Sequence, residues 1–344
     1  MRRPWLLPFA PLYWIGVSIR NSLFDIGVLK QHTFDVPILC IGNLSAGGTG
    51  KTPHTEWVLN QFQDKFKIVV LSRGYGRKTK GFLEVKPNSK AQEVGDEPLQ
   101  IAQRFPKVKV VVCEDRVFGI ETILSSGKKP SLIVLDDAYQ HRYVASGLTW
   151  LLTPYFDLYT DDFILPLGNL REDIRGADRA DIITVTKCPG EPTPEERERI
   201  RNELNPTEIQ TLSFSRMKYE ELVDVHNKPA ERPAHAVVVT GIAEPAPLLQ
   251  HLRDLGTECI HIQFKDHREF TFADVQRITS ACEKLTEPVI ITTRKDFVRW
   301  PENEELQAIP TLVQDIAIAL DGDAGIVART IERFVTDFNS DTAS

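Results

Sequence analysis

The sequence predicts an α/β protein of two units, the first built on a doubly wound, mostly parallel sheet and the second smaller. Three observations carry that expectation. Short β-rich runs alternate with helical stretches along most of the 344 residues, the pattern of parallel strands joined by crossover helices. A glycine-rich loop, Asn43–Thr52, lies between a β-rich run and a helical one. Hydrophobic residues make up 42% and charged residues 26%, a balance that supports a packed core, and the length allows two domains.

The elements follow in order. "DVPILCIGNL" is a β-rich run ending in the glycine loop, and "TPHTEWVLNQF" reads as the helix after it. "FKIVVLSRGYG" is a second buried strand that ends in a Gly74-Tyr75-Gly76 turn. "GDEPLQIAQRF" reads as a helix with acids in its first turn, where they complement the helix dipole. "KVKVVVCEDR", "PSLIVLDDAYQH", "GLTWLLT" and "ADIITVTK" are further strands. Residues 189–198 turn polar and charged, and "TLSFSRMKYEELVDV" reads as short extended pieces of a connector. A second unit begins near His235 with strand, turn and helix in "HAVVVTGIAEPAPLLQHLRDLG"; "CIHIQFKDH", "PVIITTRKD" and "TLVQDIAIAL" follow as strands. The expected divisions are an N-terminal segment 1–30, a first domain 31–205, a linker 206–234 and a smaller α/β domain 235–344. In an open α/β sheet, functional groups gather beyond the strand C-termini. The loop, Ser72-Arg73, Glu114-Asp115-Arg116 and Asp136-Asp137 all fall there.

The net charge of -7 argues against a general nucleic-acid binder. Five scattered cysteines give neither a zinc site nor a disulfide framework and suit a reducing compartment. No obligate protein partner is evident. The N-terminal segment is the most apolar part of the chain, with no charge from Pro4 to Ile19 and prolines at 4, 8 and 11. Pro11 suits a first helical position, so a helix is expected from there to about Lys30. Ser18, Asn21 and Asp25 would form its polar stripe, and Leu12, Ile15, Ile19, Leu23 and Ile26 line much of the rest. A cleaved signal peptide would need a small-residue cleavage site before Arg20, and a spanning helix would want about 20 apolar residues without those prolines. An interfacial helix fits best, with Trp5, Tyr13 and Trp14 near headgroups and Arg2, Arg3 and Arg20 near anionic lipid. The alternative is a helix packed on its own domain or in a dimer.

The loop carries the chemistry. A phosphate-binding loop ends in G-K-[ST], and here Gly50, Lys51 and Thr52 supply that ending, while Ser45 stands where the first glycine is usual. Gly47, Gly48 and Gly50 let successive backbone amides of Ser45, Ala46, Gly47, Gly48, Thr49 and Gly50 wrap a phosphate. Lys51 would reach the β- and γ-phosphates and the Thr52 hydroxyl would bind Mg²⁺. Asp136 and Asp137 close the apolar run "LIVLDD", where a carboxylate can hold Mg²⁺, or they are two turn acids. Asp96 in "VGDEP" is either a helix N-cap or a base near the γ-phosphate. Asp266-His267 and Arg171-Glu172 are surface polarity unless the fold brings them to the loop. The string G-G-T-G-K-T also resembles the deviant loop of ParA- and MinD-like ATPases, so a membrane-recruited switch ATPase is the rival reading. Those proteins carry a lysine where Ala46 stands.

Taken in order, "IGNLSAGGTGKTP", "LSRGYGR", "VGDEP", "EDR", "LDDAYQHR", "GNLRE", "TGIAEP", "FKDH" and "TTRKD" resemble the tetraacyldisaccharide 4'-kinase family. The resemblance implies two α/β domains joined by a small β linker and an ATP- and Mg²⁺-dependent kinase of lipid A biosynthesis. Its acceptor would be the 4'-hydroxyl of a tetraacylated glucosamine disaccharide 1-phosphate. It would work peripherally or monotopically on the cytoplasmic face of the bacterial inner membrane, its N-terminal helix meeting the membrane surface. By position, Asp96 resembles the base, working with His267; Asp136 and Asp137 resemble the Mg²⁺ acids, with Glu172 nearby. Arg116, Gln140, His141 and Arg171 match positions of phosphate or substrate contact. Two departures stand out: Ala138 and Tyr139 where the family reads glycine and phenylalanine, and Arg294 where an acid is usual.

Overall fold

The computed structural model describes residues 4–265, 270–301 and 303–341. Among these residues the strands are β1 (Ile38–Gly42), β2 (Ile68–Ser72), β3 (Leu83–Val85), β4 (Lys109–Val112), β5 (Leu132–Asp136), β6 (Leu148–Pro154), β7 (Ile182–Thr186), β8 (Thr211–Asp224), β9 (His235–Thr240), β10 (Glu258–Gln263), β11 (Ile290–Thr293) and β12 (Thr311–Leu320). They form one sheet in the order β10-β9-β11-β12-β8-β7-β6-β1-β5-β2-β4-β3. Neighbours are parallel except for β8 with β12 and β3 with β4. The longer helices are α1 (Ala10–Asp25), α2 (Lys51–Phe62), α3 (Asp96–Arg104), α4 (Arg116–Ser125), α5 (Pro194–Leu204), α6 (Ala246–Asp254), α7 (Phe272–Cys282) and α8 (Ala324–Asp341).

The central strands are apolar on both faces because both are covered. Leu39, Ile41, Val134 and Trp150 pack with Val58, Leu59 and Phe62 of α2 and with Val327, Ile331 and Val335 of α8. Ile38, Cys40, Ile133 and Leu135 face the other way, against Ile120 and Ile123 of α4. This two-sided burial is what continuous apolar runs in a parallel sheet predict. The last helix thus closes the core around β1, although the strands just before it lie across the sheet.

Three local differences from expectation have simple causes. The stretch expected as short extended pieces is the single strand β8, whose start pairs parallel with β7 and whose remainder pairs antiparallel with β12. Its buried Ser213 and Ser215 interrupt any apolar run, and Ser213 is satisfied by a 2.5 Å hydroxyl–hydroxyl hydrogen bond with Thr184. Helix α1 stops at Asp25, before the expected end at Lys30, and Gly27 follows with φ of 75°. The edge strand β3 is only three residues long, too short for a pattern to show.

His54 on α2 ties the glycine loop to β8. Its Nδ1 lies 2.7 Å from the Gly50 carbonyl and its Nε2 lies 3.1 Å from the Ser215 hydroxyl. Neutral imidazole satisfies both contacts, Nδ1–H donating and Nε2 accepting. Burial pushes its pKa down to about 4. The folded pKa lies below the unfolded one, so this contribution to stability is complete above about pH 6.5 and is lost as pH falls toward about 4. Between about pH 7.5 and pH 5 the loss from this residue is about 2 kcal/mol. Urea unfolding of His54→Gln at the two pH values should show a pH dependence smaller by that amount, and an unchanged difference would contradict the assignment.

Candidate active site

β1 carries the chain into the loop, and Gly50 turns it into α2 at φ of 90°, a left-handed conformation open to glycine. Helix α2 starts at Lys51, so its first amides have no acceptor within the helix and present a positive end to an anion. The segment "GNLRE" straps the loop in place. Ser45 forms a β-bridge with Leu170, the Ala46 amide donates to the Asn169 carbonyl at 2.7 Å, and the Arg171 amide donates to the Leu44 carbonyl at 2.8 Å. From β7, the Thr186 hydroxyl donates to the Thr49 carbonyl at 2.9 Å. The Lys51 ammonium stands 3.6 Å from Asp137 Oδ1 and 3.5 Å from both Asn43 Oδ1 and the Gly47 carbonyl.

Opposite the loop, β5 ends in Asp136, which is fully buried. Its Oδ1 accepts from the Thr55 hydroxyl at 3.3 Å, while Oδ2 has no protein partner. Burial, then the carboxylates of Glu97 and Asp137, push Asp136 up to about 7 against the pull of Lys51 and Thr55. Asp137 follows in a left-handed conformation and also meets Arg171 Nη1 at 3.1 Å. A buried carboxylate oxygen without a partner, a second carboxylate beside it and Thr52 in the first turn of α2 suit a divalent cation. No cluster of three or more His, Cys, Asp or Glu side chains with ligand geometry occurs among the described residues. Two carboxylates fit an ion such as Mg²⁺, which keeps water and phosphate oxygens among its ligands.

Gln140 links the loop to the strap. Its amide nitrogen donates to the Asn43 carbonyl at 2.7 Å and to Glu172 at 3.3 Å, and its oxygen accepts from Arg171 at 3.2 Å. Glu172 is 2% exposed, and Arg179 donates to both of its carboxylate oxygens at 3.0 Å. Asn21 of α1 adds a third donor, also at 3.0 Å. Arg179 also lies over the Tyr139 ring, whose hydroxyl donates to the Gly176 carbonyl at 2.6 Å. That hydrogen bond accommodates tyrosine where the family reads phenylalanine.

Arg116 and His141 adjoin these groups. Arg116 is 3% exposed, donates to the Glu114 carbonyl at 3.0 Å and keeps a buried Nε without a protein partner. His141 Nε2 is likewise buried without a partner, and burial followed by the Arg116 charge lowers its pKa to about 4. Asp96 occupies the first position of α3 while Gly95 holds the N-cap position, so the carboxylate is not the N-cap that its place in the sequence also allowed. Arg299 Nε stands 3.4 Å from its Oδ2. His267, the expected companion of Asp96, lies outside the described residues.

Lys51, Asp137, Arg171, Gln140 and Glu172 are therefore joined by direct contacts, with Asp136 beside Asp137 at the end of β5. Asn43, Glu97, Arg179 and Arg299 join this neighbourhood without having been singled out in the sequence. Of these, Asn43 and Glu97 lie inside quoted motifs, whereas Arg179 and Arg299 carry no such signal. Helix α1 faces the same region: Asn21 of its polar stripe meets Glu172, and Tyr13 and Arg20, expected toward headgroups and anionic lipid, instead donate to the Arg171 carbonyl at 3.0 Å and the Gln140 carbonyl at 3.1 Å. Its apolar residues face outward, with Leu12 and Ile19 exposed by 70% and 56%, and Trp5 ahead of the helix is exposed by 74%. Among the described residues no helix is long and apolar enough to cross a membrane.

Comparison with known proteins shows the family and the fold. A family model described as tetraacyldisaccharide-1-P 4'-kinase matches residues 2–335. The tetraacyldisaccharide 4'-kinase of Flavobacterium johnsoniae is 44% identical over 308 residues, covering 88% of each chain. That of Parabacteroides distasonis is 44% identical over 306 residues, covering 86% of this chain and 83% of the relative. The crystal structure of LpxK from Aquifex aeolicus in complex with ATP superposes with a TM-score of 0.74 at 28% identity, covering 96% of this chain and 98% of that one. The chain belongs to the tetraacyldisaccharide 4'-kinase family.

Proposed function

We propose that the protein transfers the γ-phosphate of ATP to the 4'-hydroxyl of a tetraacylated glucosamine disaccharide 1-phosphate, a step of lipid A biosynthesis. The observation that carries this reading is the convergence of Lys51 and Arg171 on Asp137, beside the unpartnered oxygen of Asp136 and against the amides at the start of α2. Family membership supports the acceptor, and the relative crystallised with ATP supports the donor.

Phosphoryl transfer asks the protein mainly to position reactants and stabilise charge. Residues 45–52 would cradle the phosphates through backbone amides. The Lys51 ammonium would exchange Asp137 for a phosphate oxygen. Asp136, Asp137 and Thr52 would hold Mg²⁺, which neutralises charge on the transferring group when bound. Glu172, already engaged by Arg179, Asn21 and Gln140, would keep Arg171 and Gln140 ordered beside them. Asp96 would accept the proton of the 4'-hydroxyl, with His267 as its companion from residues 235–344. Arg116 would bring a cationic guanidinium, and the neutral His141 imidazole a hydrogen-bonding nitrogen, toward an anionic group of the substrate.

The exposed apolar face of α1 would rest on the cytoplasmic surface of the inner membrane, where an acylated acceptor resides. The same helix would hold the site loops through Tyr13, Arg20 and Asn21. Replacing both Leu12 and Ile19 with glutamate should reduce flotation with anionic phospholipid vesicles by about tenfold or more and leave the folded core intact. Unchanged flotation would place the anchor elsewhere.

The direct test of the nucleotide site is transfer of radiolabelled γ-phosphate to the acceptor in mixed micelles. Lys51→Ala should lose about a hundredfold or more in kcat, and Asp136→Asn should lose Mg²⁺-dependent turnover while gaining stability, since the buried site would then be neutral. Near-normal turnover by folded Lys51→Ala would overturn the loop assignment.

A further inference from the structure

Beyond β11 the chain "TTRKDFVRW" makes a short helical turn, Arg294–Phe297, and then presents Arg299. Two features pin this turn to its own part of the sheet. Arg294 is 4% exposed and makes a bidentate pair with Asp315 of β12, at 2.9 and 2.8 Å. The arginine found where the family carries an acid therefore serves as a buried brace. Asp296 is 1% exposed, accepts from the Gly241 amide at 2.8 Å and accepts from the Thr293 hydroxyl at 2.7 Å. Residue 241 has to be glycine for this: a Cβ there would sit 2.7 Å from Asp296 Oδ1.

Asp296, fixed in this way, meets Arg299 Nη2 at 3.1 Å. The same guanidinium also reaches toward the far half of the molecule, where its Nε stands at an ion-pair distance of 3.4 Å from Asp96 Oδ2, without hydrogen-bond geometry. The Arg299 and Asp96 side chains are only 7% and 14% exposed, so the contact is sheltered from solvent screening. A second link runs parallel to it. Arg104, at the C-terminal end of α3, pairs with Glu56 of α2 at 2.6 Å and with Glu220 of β8, and donates to the Ile316 carbonyl of β12 at 3.3 Å. Helix α3 is therefore held at both ends by groups from the part of the chain that follows β7, and the link at its start falls on Asp96.

We infer that Arg299 is a positioning residue for the Asp96 carboxylate, setting its direction through a guanidinium anchored on Asp296 and Gly241. The inference rests on the reading of Asp96 as the base. A sheltered ion pair favours carboxylate orientations that bring an oxygen toward the guanidinium, and a base acts only within hydrogen-bond reach of the proton it accepts. Because the anchor and the base lie on opposite sides of β8, the orientation of Asp96 reports how the two parts of the sheet are seated together. The arrangement also accounts for three motifs as one contact chain, from "TGIAEP" through "TTRKD" to "VGDEP".

The test is steady-state kinetics of the full-length enzyme with ATP and the acceptor in mixed micelles, on Arg299→Met, Arg299→Lys, Asp96→Asn and the two double variants. Arg299→Met should lower kcat by about tenfold to a hundredfold and leave the KM for ATP within about twofold, a pattern that general loosening of the fold would not give. Arg299→Lys should recover part of that loss, since an ammonium can still meet one carboxylate. Neither change should lower activity much further in the Asp96→Asn background. Unchanged kcat in folded Arg299→Met, or losses that add to that of Asp96→Asn, would overturn the inference. Should Arg299→Met fail to fold, the same additivity test on Arg299→Lys decides it. Near-normal kcat in Asp96→Asn would instead overturn the reading of the base itself.

Discussion

The carboxyl end of β5 places two acids against the first turn of α2, and the rest of the site is arranged around that charge. Asp136 is buried to 0% exposure and would be costly as an isolated anion. Lys51 and Arg171 bring positive charge to Asp137, and Thr55 supplies one hydrogen bond to Asp136. What remains is an oxygen of Asp136 with no protein partner. Burial there is tolerable because the group can share a proton or a cation, and its raised pKa expresses the same balance. The strap "GNLRE" follows from this demand: it positions Arg171 at Asp137 and braces the glycine loop through backbone hydrogen bonds.

Much of the fold was legible because its signals are local. Fully buried strands such as Ile38–Gly42 and Leu132–Asp136 declare themselves as apolar runs, and Gly47 and Gly50 mark a loop whose geometry other residues avoid. What the sequence left hidden is long-range. The polar strand β8 hides because Ser213 and Ser215 are satisfied by partners distant in sequence. Nothing in the amphipathic pattern of α8 says that Val327, Ile331 and Val335 cover the core of β1. At the site, Lys51, Asp136 and Asp137 were readable from motif context, but Arg179 and Arg299 were not, since an arginine acquires its meaning only from the carboxylate it meets. The proline-broken leader gave the helix but overran its end, because one glycine, Gly27, carries the stop signal.

The N-terminal helix joins two requirements that are usually met by separate elements. Its outward face is apolar from Leu12 to Ile19, while its inward face donates to the strap and to the loop after β5 through Tyr13, Arg20 and Asn21. Arg142 completes the seat by pairing with Asp25 at 2.7 Å and lying over the Phe24 ring. A helix with an exposed apolar surface on one side therefore contacts Arg171, Gln140 and Glu172 on the other. The membrane contact proposed above would place that apolar surface on lipid while the polar side holds the loop.

The central claim is that these groups serve transfer to one hydroxyl of an acylated disaccharide. The most direct measurement is the position of the new phosphate after incubating the wild-type protein with ATP, Mg²⁺ and the tetraacyl disaccharide 1-phosphate, read by mass spectrometry and phosphorus–proton correlation in the product. The account predicts a single added phosphomonoester at the 4'-position. Release of inorganic phosphate alone with nucleotide-dependent dimerisation, or a phosphate at any other hydroxyl, would contradict it.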